Sequence, residues 1–317
     1  MLPLSQEIRF CASHDGARIA YATSGAGSPL VKAANWLSHL EFDVSSPVWL
    51  HLLHELSRRN TLVRYDGRGC GLSDWNVELS FGAWVSDLEA VVEANCSERF
   101  PLLGISQGAS IAIAYAVRHP ERVSQLVVHG GYARGRLRWS GSTNRREEAE
   151  TMIKLAELGW GQQNPAFRQF FTTQFIPDGT PEQHQWFNEL ERISTSPLNA
   201  ARFMRVLSEI DVVSLLPRVQ CPTLVLHSVR DARVPFDEGR LIAGMIPNAR
   251  FVPLESNNHL LLESEPAWSR WKAELRAFLP SAEARHPAFE SLTARELELM
   301  ELIAQGRDNA QIGPIWA

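Results

Sequence analysis

Phe100-Pro101-Leu102-Leu103-Gly104-Ile105-Ser106-Gln107-Gly108-Ala109-Ser110 reads as a strand, a sharp turn and the start of a helix. The apolar run before Gly104 suits a buried strand, and the residues from Ala109 to Arg118 have the spacing of an amphipathic helix. Between the two lies Gly104-x-Ser106-x-Gly108. In so tight a turn a Cβ at 104 or 108 would strike the neighbouring strand and helix, and glycine avoids the collision. Ser106 is left at the tip, above a helix N-terminus whose first N–H groups have no intrahelical acceptor. A turn of this kind presents serine as a nucleophile. The five-residue pattern is weak by itself, so its meaning depends on the rest of the chain.

Upstream, Ile8-Arg9-Phe10-Cys11-Ala12 and Ala17-Arg18-Ile19-Ala20-Tyr21 flank Asp15-Gly16, which predicts a β-hairpin. Leu30-Val31-Lys32-Ala33-Ala34 and Thr61-Leu62-Val63-Arg64-Tyr65 read as strands. Between them a helix is predicted over residues 47–59, with Trp49, Leu52, Leu53 and Leu56 on one face. A second helix, over 80–95, gathers Trp84, Val85, Leu88, Val91 and Val92. Downstream, residues 125–129, 223–227 and 250–254 read as strands and 237–245 and 266–279 as helices. Two strands followed by strands alternating with helices predict an α/β fold with a mostly parallel sheet. In such a sheet ligands bind at the carboxyl ends of the strands, and Ser106 stands at one of them.

From Tyr132 to Asp211 the pattern changes. No β-branched run appears, and Trp139, Trp160, Phe167, Phe170, Phe171, Phe175, Trp186, Phe187, Phe203 and Met204 are spread over helical spacings. We read a helical insertion with its aromatic residues facing inward, acting as a cap over a substrate pocket. Arg134, Arg136, Arg138, Arg145 and Arg146 cluster near its start; such runs are usually solvated, and an anion site is the alternative. The expected organisation is a core of residues 1–132 and 212–283, a helical cap over 133–211 and a separate tail over 284–317.

Bulk composition excludes several classes. With 31 Lys and Arg against 36 Asp and Glu, the net charge of −5 gives no broad attraction to nucleic acid or an anionic membrane. The first residues, Met1-Leu2-Pro3-Leu4-Ser5-Gln6-Glu7, lack the features of a signal peptide, and no apolar run has membrane-spanning length. Cys11, Cys70, Cys96 and Cys221 are widely separated and read as free thiols in a reducing compartment, so a cytoplasmic location is expected. No metal-ligand spacing is present. Asp66-Gly67-Arg68-Gly69-Cys70-Gly71-Leu72-Ser73-Asp74 is glycine-dense, but it lacks the Lys-Ser/Thr of a P-loop and the spacing of a dinucleotide fingerprint. It reads as a structural loop in which Asp66 and Arg68 pin backbone, and no cofactor is expected.

Acyl transfer by serine requires a hydroxyl, an imidazole to take its proton, and a buried carboxylate to orient the imidazole. Ser106, Asp231 and His259 each follow a predicted strand and are the candidate catalytic residues. His227 lies in its strand and reads as a packed residue. His129 ends a strand without a suitable carboxylate downstream, and His39 sits in a loop that should border the pocket. Asp237 and Glu255 are alternative acids, less directly placed than Asp231. An oxyanion would need preorganised donors, expected from the backbone N–H of Gln107 and that of Trp36, with Asn35 as the alternative to Trp36.

These features resemble the α/β-hydrolase superfamily over residues 8–279. The order Ser106, Asp231, His259, the turn Gly104-Ile105-Ser106-Gln107-Gly108, the loop Asp66-Gly67-Arg68-Gly69-Cys70-Gly71-Leu72-Ser73 and the acid loop Asp231-Ala232-Arg233-Val234-Pro235 carry the resemblance. Many members have His-Gly before the oxyanion residue, where this chain has Ala34-Asn35. A serine at 106 sets the chain apart from the branches with a carboxylate nucleophile, the haloalkane dehalogenases and epoxide hydrolases. The resemblance implies a carboxylic-ester hydrolase acting on small apolar esters through an acyl-enzyme. Lactone, thioester and C–C bond cleavage or perhydrolysis use the same triad.

The tail Ser291-Leu292-Thr293-Ala294-Arg295-Glu296-Leu297-Glu298-Leu299-Met300-Glu301-Leu302-Ile303-Ala304-Gln305-Gly306 resembles the opening of a LuxR-type helix-turn-helix domain. Such a domain reads DNA with a later recognition helix. The chain stops at Ala317, and Pro314 interrupts the second helix, so no operator binding is expected from this tail. Thr293 capping one amphipathic helix is the plainer reading. The resemblance also raises another class of function, a ligand-sensing regulator with a hydrolase-like sensor domain. The partner expected for the enzyme is a small-molecule ester, with no membrane; a homodimer is left open.

Overall fold

The computed structural model describes residues 4–279 except 97–98, 140–143 and 163, together with residue 296. β1 (Glu7–Ala12) and β2 (Arg18–Ser24) form the antiparallel hairpin predicted around Asp15-Gly16, with Glu7 opposite Thr23 and Ala12 opposite Arg18. β3 (Ser28–Lys32) is followed by α1 (Leu40–Asp43), α2 (Leu50–Ser57), β4 (Asn60–Tyr65) and α3 (Phe81–Asn95). β5 (Phe100–Ile105), α4 (Gln107–Arg118) and β6 (Val123–His129) contain and follow the Ser106 turn. Four helices come next: α5 (Arg145–Gly159), α6 (Pro165–Phe175), α7 (Pro181–Ser194) and α8 (Pro197–Glu209). The alternation resumes with β7 (Thr223–Ser228), α9 (Phe236–Met245), β8 (Arg250–Leu254) and α10 (Pro266–Phe278).

One eight-stranded sheet runs in the order β1-β2-β4-β3-β5-β6-β7-β8. β2 is antiparallel to both of its neighbours, and every pair from β4 onward is parallel. This is the α/β-hydrolase arrangement. All six residues of β5 and of β7 are buried, so helices must cover both sheet faces. α3 lies beside α4. α2 meets α10, where His51 packs edge-on against Trp268 and Arg276 pairs with Glu55 at 2.5 Å.

The chain leaves β3 toward β4 on one side and returns to β5 on the other. That reversal opens a crevice at the carboxyl edge between the loop after β3 and the turn after β5. The two loops stay close because β3 and β5 pair at Val31–Leu102 and Lys32–Leu103, and the Ala33 N–H donates to the Leu103 carbonyl at 2.9 Å.

Local chemistry accounts for the element ends. Ser80 accepts from the Ala83 N–H at 3.2 Å and starts α3, and Thr180 and Gln183 form a reciprocal capping box on α7. The helix predicted from 47 begins only at Leu50, because Ser46 Oγ takes the N–H groups of Val48 and Trp49 into a preceding turn. α1 is too short for periodicity to show it; Asp66 holds its Leu40 N–H at 3.1 Å and the Leu72 N–H at 2.9 Å. Asp66 therefore does pin backbone. Arg68 chiefly binds carboxylates instead, Asp87 at 2.6 Å and Asp15 at 2.6 Å.

Among the described residues between β6 and β7 the regular structure is helical, apart from an isolated bridge between Arg134 and Asp211. Trp160, Phe171, Phe175, Phe187, Phe203 and Met204 are buried there, whereas Phe170 is 43% exposed and does not face inward as expected. The tail, with its helix-turn-helix resemblance, lies outside the described residues apart from Glu296. Among the described residues no helix is long and apolar enough to cross a membrane.

Candidate active site

Ser106 is the residue between β5 and α4, with φ 54° and ψ −126°. Serine is disfavoured at positive φ, and holding it there costs about 1–3 kcal/mol. The turn is closed on both sides. A Cβ at Gly104 would lie 2.5 Å from Ala109 Cα, and one at Gly108 would lie 2.8 Å from the Ala34 carbonyl oxygen. The Ser106 N–H donates to the His129 carbonyl at 3.0 Å, which ties the turn to the end of β6.

Asp231 and His259, from the loops after β7 and β8, come together. His259 Nδ1 and Asp231 Oδ2 are 2.7 Å apart, and both side chains are fully buried. A carboxylate only accepts, so Nδ1 carries the proton and Nε2 keeps its lone pair in the neutral ring. Nε2 is buried without a hydrogen-bond partner; Ser106 Oγ is not in bonding geometry with it. Asp231 Oδ1 accepts from the backbone N–H groups of Arg233 at 2.8 Å and Val234 at 2.9 Å. Burial opposes charge on Asp231, but His259 and these backbone donors hold its pKa below the usual carboxylate range.

The neighbouring histidines have backbone partners. His227 Nε2 lies 3.1 Å from the Val234 carbonyl and His129 Nε2 lies 3.2 Å from the His259 carbonyl, so each steadies a site loop. Burial lowers the pKa of both; for His129, helped by His259 and His227, it falls to about 3. His259 is also held from the helical segment: its N–H and that of Leu260 both donate to the Phe175 carbonyl, at 2.9 and 3.2 Å. His39 is not among the residues lining the cleft at Ser106.

The loop after β3 brings Trp36 to Gln107. Its backbone N–H, an expected oxyanion donor, gives its hydrogen bond to Gln107 Oε1 at 2.6 Å. The Trp36 ring stacks on Trp160 at 5.1 Å and Phe203 at 5.9 Å. Asn35 turns away, with its side-chain oxygen held by the buried Lys32 ammonium. The Gln107 N–H opens α4 and has no preceding helical carbonyl to bond.

A cleft of about 570 Å³, its mouth included, opens at Ser106. Trp36, Gln107, Tyr132, Trp139, Met152, Phe175, Met204 and Leu207 line it, together with Arg136 and Arg233. Neither arginine stands among the pocket residues that the sequence points to. The solvated reading of the basic run holds for Arg138, more than half exposed. Arg134 and Arg145 depart from it, 31% and 21% exposed and paired with Glu238 and Glu148, and Arg136 departs from it by lining the cleft. The hints in the sequence are the anion-site alternative for the basic run and the adjacency of Arg233 to Asp231. Among the described residues no group of three or more His, Cys, Asp or Glu side chains is placed to hold a metal ion.

Residues 25–269 match the alpha/beta hydrolase family. An AB hydrolase superfamily protein, YisY, of Bacillus subtilis (strain 168) is 27% identical over 250 residues, covering 74% of this chain and 86% of its own. The pyrrolizixenacetamide deacetylase of Xenorhabdus hominickii is 27% identical over 254 residues, covering 78% and 90%. Among solved structures, an esterase from Exiguobacterium antarcticum superposes with a TM-score of 0.72 at 22% identity over 85% of this chain and 98% of that one. The match over most of the chain agrees with the strand order and the Ser106 turn, and this protein belongs to the alpha/beta hydrolase family.

Proposed function

We propose that the protein is a serine hydrolase that cleaves carboxylic esters through an acyl-enzyme. The observation that carries this reading is the 2.7 Å pair of His259 and Asp231, which leaves the buried Nε2 without a partner and so free to take a proton. Ser106 Oγ attacks the ester carbonyl as His259 Nε2 takes its proton. The tetrahedral oxyanion is met by the N–H groups of Gln107 and, once the Gln107 side chain moves off it, of Trp36. His259 then protonates the leaving alkoxide, the C–O bond breaks, and Ser106 remains acylated. Water, deprotonated by His259, releases the acid. Asp231 stabilises the imidazolium at each stage.

Residues 133–211 act as a cap: Met152, Met204 and Leu207 line the cleft, and Phe175 also fixes the His259 loop. The deacetylase among the relatives is consistent with hydrolysis at an acyl carbon. The test is turnover of p-nitrophenyl esters of increasing acyl length by the native protein and by Ser106→Ala. The reading requires a rate for the native protein above that of the variant. Equal rates at every chain length would end it.

A further inference from the structure

Arg136 and Arg233 line the same cleft as Ser106, and neither forms an ion pair with a carboxylate among the described residues. Their neighbours are neutralised. Arg134 pairs with Glu238 at 2.6 Å, Arg138 with Asp211 at 3.3 Å and Arg145 with Glu148 at 3.0 Å. The contacts of the two cleft arginines are uncharged: Arg233 Nη1 donates to Gln174 Oε1 at 3.3 Å, and its guanidinium lies over Phe175 at 5.3 Å. Arg136 lies over the Trp139 ring at 5.1 Å.

The acids that act on them are already committed. Asp231 is held by His259, and Glu148 is paired with Arg145. Burial, and then the charge of Arg136, bring the Arg233 pKa down to about 10. For Arg136 burial comes first and Arg145 second. Two partly buried, mutually repelling guanidinium groups that line one aromatic-rich cleft gain most from an anion bound in it.

We propose that Arg136 and Arg233 form an anion-binding subsite, so that the ester cleaved at Ser106 carries a second, negatively charged oxyacid group. The subsite rests on the acyl-transfer reading of Ser106 and changes its substrate class from small apolar esters to esters that carry a second, anionic oxyacid group, carboxylate or phosphate. Arg233 is suited to coupling the two functions, because its backbone N–H binds Asp231 while its side chain lines the cleft. A bound anion would replace repulsion between the cations with charge-assisted hydrogen bonds.

The experiment compares kcat/KM for p-nitrophenyl hemiglutarate and p-nitrophenyl butyrate with the full chain. The native protein is expected to favour the anionic ester by roughly 10- to 100-fold, the range for hydrogen bonds to a charged group. Arg136→Met and Arg233→Met should each cut that ratio about tenfold, chiefly through KM of the hemiester. Arg136→Glu should move it below one. Because both esters are read on one preparation, a partly unfolded variant leaves the ratio intact. A native ratio at or below one, or a ratio indifferent to the substitutions, overturns the subsite and leaves the esterase reading standing.

If no ester is turned over, the esterase reading falls and calorimetry decides the subsite separately. Binding of adipate or butyl phosphate that Arg233→Met weakens supports it, and the two probes tell a carboxylate site from a phosphate site. Failure of both to bind overturns it.

Discussion

The backbone N–H of Trp36 donates to Oε1 of Gln107 at 2.6 Å, joining the loop after β3 to the residue that follows Ser106. One proposed oxyanion donor is therefore already hydrogen-bonded within the protein. A substrate must displace the Gln107 side chain before that N–H can serve. Gln107→Ala removes the competitor and keeps the backbone N–H at 107. Its kcat/KM for a p-nitrophenyl ester should rise by about three- to tenfold, the value of one neutral hydrogen bond. A fall instead would assign the amide side chain a direct part in holding substrate.

The positive φ of Ser106 sets stability against activity. Ser106→Gly relieves backbone strain of about 1–3 kcal/mol and adds an unfolded-state entropy cost of about 0.5–1 kcal/mol. The variant should gain about 1 kcal/mol in urea unfolding while losing ester turnover to the uncatalysed background. A variant less stable than the native protein would show that the turn is not strained.

Acid sensitivity should pass through His129. It is buried at the end of β6, and its pKa of about 3 lies below the unfolded value of about 6.5. Between these values the unfolded chain binds the extra proton, so this histidine lowers stability progressively as pH falls from about 6.5 toward 3. His129→Leu should show a smaller drop in Tm between pH 7 and pH 5 than the native protein. Equal drops would mean that His129 does not contribute.

The Arg68–Asp87 pair is a fastening of the fold outside the reaction. Arg68 is 0% and Asp87 1% exposed at the side chain, and Asp15, the other partner of Arg68, is nearly half exposed. Asp87→Ala leaves a buried cation short of its main partner and should cost about 3–5 kcal/mol in chemical unfolding. The double variant Arg68→Met, Asp87→Leu should recover much of that loss, since apolar replacement removes the unpaired charge as well. A double variant no better than Asp87→Ala would place the stabilisation in packing.

The sequence carried the elements and their order because each depends on neighbours within a few residues. Alternating apolar residues around Asp15-Gly16 specify the hairpin, and the glycines at 104 and 108 specify a turn that excludes any side chain. The strand-end positions of Ser106, Asp231 and His259 are legible because each follows an apolar run, and a parallel sheet brings such loops to one edge. Tertiary structure decided what depended on partners far along the chain. Nothing local distinguishes Arg136 from Arg134 or Arg138. Arg134 meets Glu238, 104 residues away, and Arg138 meets Asp211, while Arg136 turns onto Trp139 in the cleft. Likewise, only the adjacency of β3 and β5 brings the Trp36 N–H to Gln107, 71 residues on. Periodicity and turn chemistry are short-ranged and write themselves into sequence. The charge balance and donor occupancy of a cleft are set by which side chains the sheet brings together.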